Sequence, residues 1–341
     1  MTLRLRVDRT AWRAHVDHVA GSYAAAAANC SVVPVVKGNG YGFGRNVLAS
    51  IADDLVATLP SVDRPPTIAV GSVHELAGLP WRLRPIVLTP PGAGCAARLG
   101  DAHSAPIVTV GGQAHIAALE GWRGEILVKL TSSMRRFGVA PRELDDVDRR
   151  ARAAGLTVIG HSIHLPLAGE DADRSAEVDR WLAVLETRPA VPDGRPTLWV
   201  SHLGPDAIAG LCARWPSWTF RVRLGTLLWH GDRSTWHLGA DVVDVHPVSA
   251  GTVAGYHRTR VTSDGTLVVI GAGTAHGVTM LDDGRSPFHF RRRRLALLER
   301  PHMHTSMVFV RTGEPCPAIG DIVDVQRPLT MVAVDELTWQ D

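Results

Sequence analysis

The chain has 341 residues, 45% hydrophobic and 21% charged, with a formal net charge of +2. That length exceeds one ordinary core unless the core is a barrel with an appendage, and the near-neutral balance gives no reason to expect nucleic acid or a membrane surface as a partner. The four cysteines, Cys30, Cys95, Cys212 and Cys316, are scattered without a CxxC pair, which points to reduced thiols in a cytoplasmic protein rather than a disulfide frame. Residues 1–6 lack a long apolar run after their charges, so no signal peptide is expected. No apolar run approaches the ~18 residues of a transmembrane helix.

Residues 3–7 alternate apolar and basic positions, as a half-exposed strand does. Asp8 and Thr10 can cap a helix over residues 11–28, where alanines and the spacing of Trp12, Val16 and Val19 favour that state. The run Ser31-Val32-Val33-Pro34-Val35-Val36 reads as a buried strand that ends at Lys37, and Gly38, Gly40, Gly42 and Gly44 follow. A lysine there is costly as a cation, yet a desolvated, neutral amine is a nucleophile, and glycines let the backbone approach a bulky ligand. The residues by themselves leave open a plainer reading, a strand and flexible turn whose lysine reaches water.

Further strands are predicted over residues 67–70, 85–88, 106–109, 125–130, 157–164, 197–200 and 219–223, with helical patterns such as 142–155 and 170–186 between them. With the Lys37 strand these make eight, the alternation of a TIM (β/α)8 barrel, whose active sites lie at the strand C-termini. After about residue 232 the pattern becomes antiparallel, with strands expected over 241–245, 252–262, 266–270, 305–310, 321–325 and 330–334. The expected fold is therefore α/β: a barrel over 10–231 and a mostly antiparallel β domain over 232–341, joined by the N-terminal strand 1–9.

The order Val-Val-Lys-x-Asn-x-Tyr-Gly-x-Gly from Val35 to Gly44 resembles the cofactor-lysine motif of the alanine racemase family, the fold-type III enzymes that use pyridoxal 5′-phosphate, and the chain reads as a divergent member. The resemblance implies that Lys37 carries the cofactor covalently and that Tyr41 meets its phosphate. Lys129, followed by Met134-Arg135-Arg136-Phe137-Gly138, resembles the family's Lys and Met-x-Arg-x-Gly pair. This makes Arg136 the ligand of the substrate carboxylate and Lys129, carbamylated in some members, its support. Taken alone, Arg135-Arg136 would read as a solvated loop.

His164 falls where the family keeps a histidine near the pyridine ring, with His161 as an ordinary strand histidine for comparison. The segment from Ser201 to Asp206 stands at the family's His-x-x-Asn-Ser, which assigns His202 and Gly204 to the cofactor site. Pro205 and Asp206 replace Asn and Ser, so an anion faces the phosphate cup, where backbone N–H groups at a helix start could still serve. Arg223-Leu224-Gly225-Thr226 resembles the family's Arg-x-Gly after the last barrel strand, with Arg223 at the pyridine nitrogen and Gly225 and Thr226 at the phosphate. A guanidinium cannot yield its proton, which suits racemisation over transamination.

Gly255-Tyr256 resembles the family's Gly-Tyr pair and makes Tyr256, one of three tyrosines, the second catalytic base, reaching the active site of a partner subunit. Met303 and His304 lie in Arg-Pro-His-Met-His, where the family has Arg-Val-Ser-Met-Asp, and are assigned to the substrate. Thr274 and His276 replace a Tyr and an Asp of the entrance, and the family's final strands find no counterpart after residue 337. The run Arg291 to Arg294 reads as a solvated loop. No metal is expected, although His302 and His304 could place two imidazoles on one strand face. The implied function is racemisation of an amino acid by two-base proton transfer at Cα, with Lys37 and Tyr256 as the bases, in a head-to-tail homodimer with shared active sites. The alternatives are a D-amino-acid lyase or dehydratase of the same fold and a non-catalytic pyridoxal-phosphate-binding protein. The altered entrance points to a larger or acidic side chain rather than alanine.

Overall fold

The computed structural model describes residues 3–60, 66–100, 105–188 and 195–341. The chain divides into a barrel unit, residues 15–38 and 45–230, and a β unit, residues 1–14, 39–44 and 231–341.

Strand β1 (Leu3–Asp8) belongs to the β unit. The barrel strands are β2 (Cys30–Pro34), β3 (Thr67–Val70), β4 (Arg84–Val87), β5 (Ile107–Val110), β6 (Glu125–Lys129), β7 (Thr157–Ser162), β8 (Thr197–Val200) and β9 (Thr219–Leu224). They pair in the order β2-β9-β8-β7-β6-β5-β4-β3, all parallel. A bridge between Val35 and Ala69, with Val36 N–H donating to Ala69 O at 2.8 Å, joins the first strand to the last and closes the barrel beside Lys37. Every residue of β2, β3, β5 and β9 is buried. This is why β3 (TIAV) and β5 (IVTV) read as unbroken, largely β-branched runs rather than alternating ones: a parallel sheet is covered on both faces.

The helices are α1 (Arg9–Ala24), α2 (Arg45–Thr58), α3 (Cys95–Gly100), α4 (Gln113–Ala117), α5 (Leu144–Ala153), α6 (Asp171–Glu186), α7 (Pro205–Arg214) and α8 (Thr226–His230). Asp8 Oδ1 caps α1 by accepting from Ala11 N–H at 2.8 Å. The helix stops at Ala24 rather than at residue 28, and the Asn29 amide then ties the chain to Trp218 O at 2.8 Å. The seventh strand, expected to reach His164, ends at Ser162, so His164 lies in the loop beyond it.

In the β unit, β1 pairs antiparallel with β10 (Trp236–Val248) and parallel with the terminal β19 (Glu336–Gln340), a strand the sequence did not disclose. The remaining strands are β11 (Val253–Ala254), β12 (Thr259–Arg260), β13 (Gly265–Ile270), β14 (Phe288–Phe290), β15 (Arg293–Arg294), β16 (Ala296–Leu297), β17 (Ser306–Arg311) and β18 (Ile322–Val325). The main sheet runs β15-β14-β18-β10-β13-β17-β16, antiparallel throughout, and β11 and β12 pair separately. Two expected strands differ. Residues 252–262 form the two-residue strands β11 and β12 around a turn that holds Tyr256. Residues 330–334 give way to a 3₁₀ turn, Leu329–Met331, entered from Pro328. The arginine run is solvated as expected, and its exposed Arg291 and Arg292, both left-handed (φ 48° and 66°), form the turn of a hairpin that carries Arg293 and Arg294 in β15.

Candidate active site

The C-terminal end of the barrel is built first by backbone. Val35 N–H donates to Leu224 O at 2.8 Å, and the indole N–H of fully buried Trp229 donates to Val35 O at 2.7 Å. These bonds fix the chain just before Lys37. Lys37 is reached by water, but its amine is partly desolvated. Desolvation therefore lowers its pKa first, the charges of Arg136 and Arg223 lower it further, and Glu75 opposes them. Glu75 is held by Gly71 N–H at 2.7 Å. The chain contains only two lysines, Lys37 and Lys129, and Lys129 ends β6 in the same unit.

Lys129 is 5% exposed, and its amine is pushed down to about 6, by burial first and then by the charges of Arg223, Arg136 and Lys37. Arg136 stands on the exposed loop that follows β6. That loop is anchored at its start. Thr131 O accepts from the Trp181 indole at 2.8 Å, the Ser132 hydroxyl donates to His164 O at 2.7 Å, and Glu177 of α6 takes both Ser133 N–H and its hydroxyl at 2.6 and 2.8 Å. It is closed at its end by Val139 N–H donating to Lys129 O at 2.9 Å. Gly138 makes that closure possible: its φ is 128°, and a Cβ there would lie 2.5 Å from the Leu130 carbonyl carbon and the Thr131 nitrogen. Gly138→Ala is expected to cost about 1–3 kcal/mol of stability and to raise KM more than it lowers kcat, because it displaces Arg136. Denaturation and steady-state kinetics on the variant check both, and an unchanged KM would detach Arg136 from substrate.

Arg223 is buried within β9. It donates to Ile163 O at 2.6 Å and Val200 O at 3.4 Å, and burial, with the nearby Arg136 charge, lowers it to about 10. It remains a cation at neutral pH. His164 is driven down to about 2 by burial and by the charges of Arg223 and Lys129, so its imidazole is neutral. Its Nδ1 shares a hydrogen bond of 2.7 Å with the Ser201 hydroxyl. His202 is left-handed (φ 63°), and its Nδ1 meets Leu165 O at 2.7 Å. A carbonyl can only accept, so Nδ1 carries the proton and Nε2 is left as an acceptor. Burial lowers the His202 pKa, and its ring lies 4.6 Å from that of His164. Thus Lys37, Lys129, Arg136 and Arg223 act on one another as like charges at one end of the barrel, with two neutral imidazoles among them.

Gly204 precedes α7, but its N–H is already taken by Asp171 Oδ2 at 2.9 Å. That N–H is committed within the protein, and Asp206 adds a carboxylate to the first turn of that helix. Gly225 and Thr226 open the short α8, Gly225 O accepting from Leu228 and Trp229 N–H at 2.9 and 3.1 Å. Sequence reasoning missed Asp171, Ser132, Glu177, Trp181, Ser201 and Trp229. They act through hydrogen bonds to residues distant in sequence and leave no local pattern.

Four expected site residues belong to the β unit. Tyr41 is buried in a 3₁₀ turn with φ 54°, and the preceding Asn39 amide donates to Leu329 O and Val332 O at 2.8 and 2.7 Å. Tyr256 is 82% and Met303 66% exposed. His304 is exposed and presents its ring edge-on to His276 at 5.9 Å. His302 and His304 face different partners, since His302 Nε2 meets Glu299 at 2.5 Å. Among the described residues no group of three or more His, Cys, Asp or Glu is placed to hold a metal. His276, expected at the entrance, is buried, takes Gly273 N–H at 3.1 Å and faces Asp335 at 3.1 Å.

None of the curated proteins matches the chain in sequence. Among solved structures, it resembles alanine racemase of Clostridium difficile 630 with a TM-score of 0.72 at 14% identity, covering 100% of this chain and 96% of that one. It resembles alanine racemase from Bartonella henselae with covalently bound pyridoxal phosphate with a TM-score of 0.68 at 16% identity, covering 100% of both chains. For the E. faecalis alanine racemase the TM-score is 0.65 at 19% identity, over 97% of this chain and 91% of that one. At such identities the likeness is one of fold. The model of the alanine racemase N-terminal domain matches residues 7–231, the β2–β9 barrel with α1 before it, and the chain belongs to that family.

Proposed function

We propose that the chain is a cytoplasmic, pyridoxal-phosphate-dependent amino-acid racemase working as a head-to-tail homodimer. The observation that carries this reading is the gathering of the chain's only two lysines, both with depressed amines, beside Arg136 and Arg223 at the catalytic end of a TIM barrel. The guanidinium charges of Arg136 and Arg223, set among amines whose pKa values are lowered, suit an anionic guest. Pyridoxal phosphate brings a phosphate and a phenolate oxygen, and an amino acid brings a carboxylate. The donor set therefore fits the cofactor, with one departure: Asp171 and Asp206 occupy the start of α7, which shifts phosphate binding toward Gly225, Thr226 and, by its place in the motif, Tyr41.

Bound pyridoxal phosphate supplies the electron sink that acidifies the substrate Cα–H bond. Lys37 would hold it covalently and, through an amine whose pKa burial lowers, would move the Cα proton on one face. Tyr256 of a second copy serves the opposite face. Arg136 orients the substrate carboxylate and Lys129, neutral at physiological pH, stands beside it. Arg223, fixed on two carbonyls, stays protonated and keeps racemisation favoured over transamination. His164 and His202 line the site as neutral rings. Exposed Thr274 and His304 support a larger or acidic substrate side chain.

The test is an absorbance scan of the purified protein, titrated with a panel of amino acids ranked by kcat/KM. A visible band that shifts with one or a few of them is expected. Tyr256→Phe should keep the band yet abolish Cα exchange in D₂O from one enantiomer only. No band sinks the cofactor assignment, equal loss for both enantiomers removes Tyr256 as a base, and alanine at the head of the panel overturns the substrate preference.

A further inference from the structure

Glu299 lies in the β unit with its side chain 4% exposed. Its Oε1 accepts from Tyr256 N–H at 2.8 Å and from His302 Nε2 at 2.5 Å, and its Oε2 accepts from His257 N–H at 3.1 Å. Burial would raise this carboxyl, but the two backbone donors and the imidazole outweigh it and hold the group below the usual carboxylate range. An ionised carboxylate offers no proton, so the shared hydrogen sits on His302 Nε2. The other side of the imidazole packs on the Tyr256 phenol, with centroids 4.4 Å apart and planes tilted by 55°. A Cβ on Gly255 would fall 2.4 Å from the Glu299 carboxylate, so the Gly-Tyr pair is what lets the carboxylate reach both backbone N–H groups.

Tyr256 is 82% exposed, and an exposed phenol on a turn would sample its rotamers freely. Here its backbone and one ring face are held by the same carboxylate–imidazole pair. The pair is not needed to shape the His302 segment, which backbone bonds already fix: His302 N–H donates to Thr305 O and Thr274 N–H to His302 O, both at 2.8 Å.

We propose that Glu299 and His302 are positioning residues, a clamp that presents the Tyr256 phenol in one orientation for proton transfer. This deepens the racemase reading and rests on it for its catalytic meaning. With only three tyrosines in the chain, labelling their ring carbons gives three NMR signals, assigned by Tyr→Phe substitution. In the full-length protein, Glu299→Gln and His302→Asn should each move the Tyr256 signal toward that of a free tyrosine and leave Tyr23 and Tyr41 in place. In the cofactor-loaded enzyme the same variants should lower exchange from the Tyr256 face about tenfold to a hundredfold, with exchange from the Lys37 face and KM unchanged, and Glu299→Asp should restore part of the loss. A Tyr256 signal that is the same in the parent and both variants overturns the clamp, and so does an equal fall on both faces. Absence of the visible cofactor band overturns the racemase reading instead, and the NMR signals then decide the clamp without it.

Discussion

Lys37→Ala is expected to remove the visible cofactor band and to leave no measurable racemisation. The chain has only one other lysine side chain, so the result has a built-in control. Lys129 is itself neutral at physiological pH and in principle nucleophilic. It is 5% exposed, whereas water reaches Lys37 at the end of the closed strand. A buried amine cannot meet a bulky aldehyde without opening β6. Borohydride reduction of the loaded parent protein followed by peptide mapping should therefore mark Lys37 and not Lys129, and Lys37→Ala should take no label. A label on Lys129 in either protein would sink the assignment. On the proposed double role of Lys37, in attaching the cofactor and in moving the proton, adding a small amine to the variant should not bring back the parent spectrum.

Much of this arrangement was legible in the chain, for identifiable reasons. The barrel strands are short and largely buried, and those without charges read as continuous apolar runs such as Thr67–Val70. Lys37, Lys129 and Arg223 stand at or just past strand ends, where a charge interrupts such a run. One stronger signal lay in plain composition: with 36 basic residues, the chain spends lysine only at positions 37 and 129 and uses arginine everywhere else. What stayed hidden depends on long-range partners. Nothing near Gly204 shows that Asp171 will take its N–H, and nothing near Tyr256 shows that Glu299 will. The β unit was read less well because several of its strands are two or three residues long, too short for alternation to register, and because β19 is defined only by its pairing with β1. The Arg291–Arg292 turn breaks the usual preference for Asn-Gly at left-handed positions, which is why it did not read as a hairpin.

Lys129→Met should make the cofactor-free protein more stable and the enzyme worse. The amine titrates at 10.5 in the unfolded chain and at about 6 in the folded one. Between those values the unfolded state binds more protons, so this group makes stability rise with pH, by at most about 1.4 kcal/mol per unit. Its contribution is complete above the unfolded value and is lost as pH falls through the folded value, below which both states are charged and the full burial penalty remains. At neutral pH most of the penalty is still present, and a methionine of similar shape removes it, for a gain of about 1–4 kcal/mol. Lys37 is shifted in the same direction, so some slope should survive in the variant. Denaturant midpoints of parent and variant from about pH 5 to pH 9 would show the difference narrowing as pH rises. A variant less stable than its parent at neutral pH would mean that the amine is paired or modified in the folded chain. The cost should appear in KM, since Arg136 loses the neighbour proposed to steady it. Greater stability together with a raised KM in the same variant would place the buried amine on the side of function rather than folding, as the proposed role beside Arg136 requires.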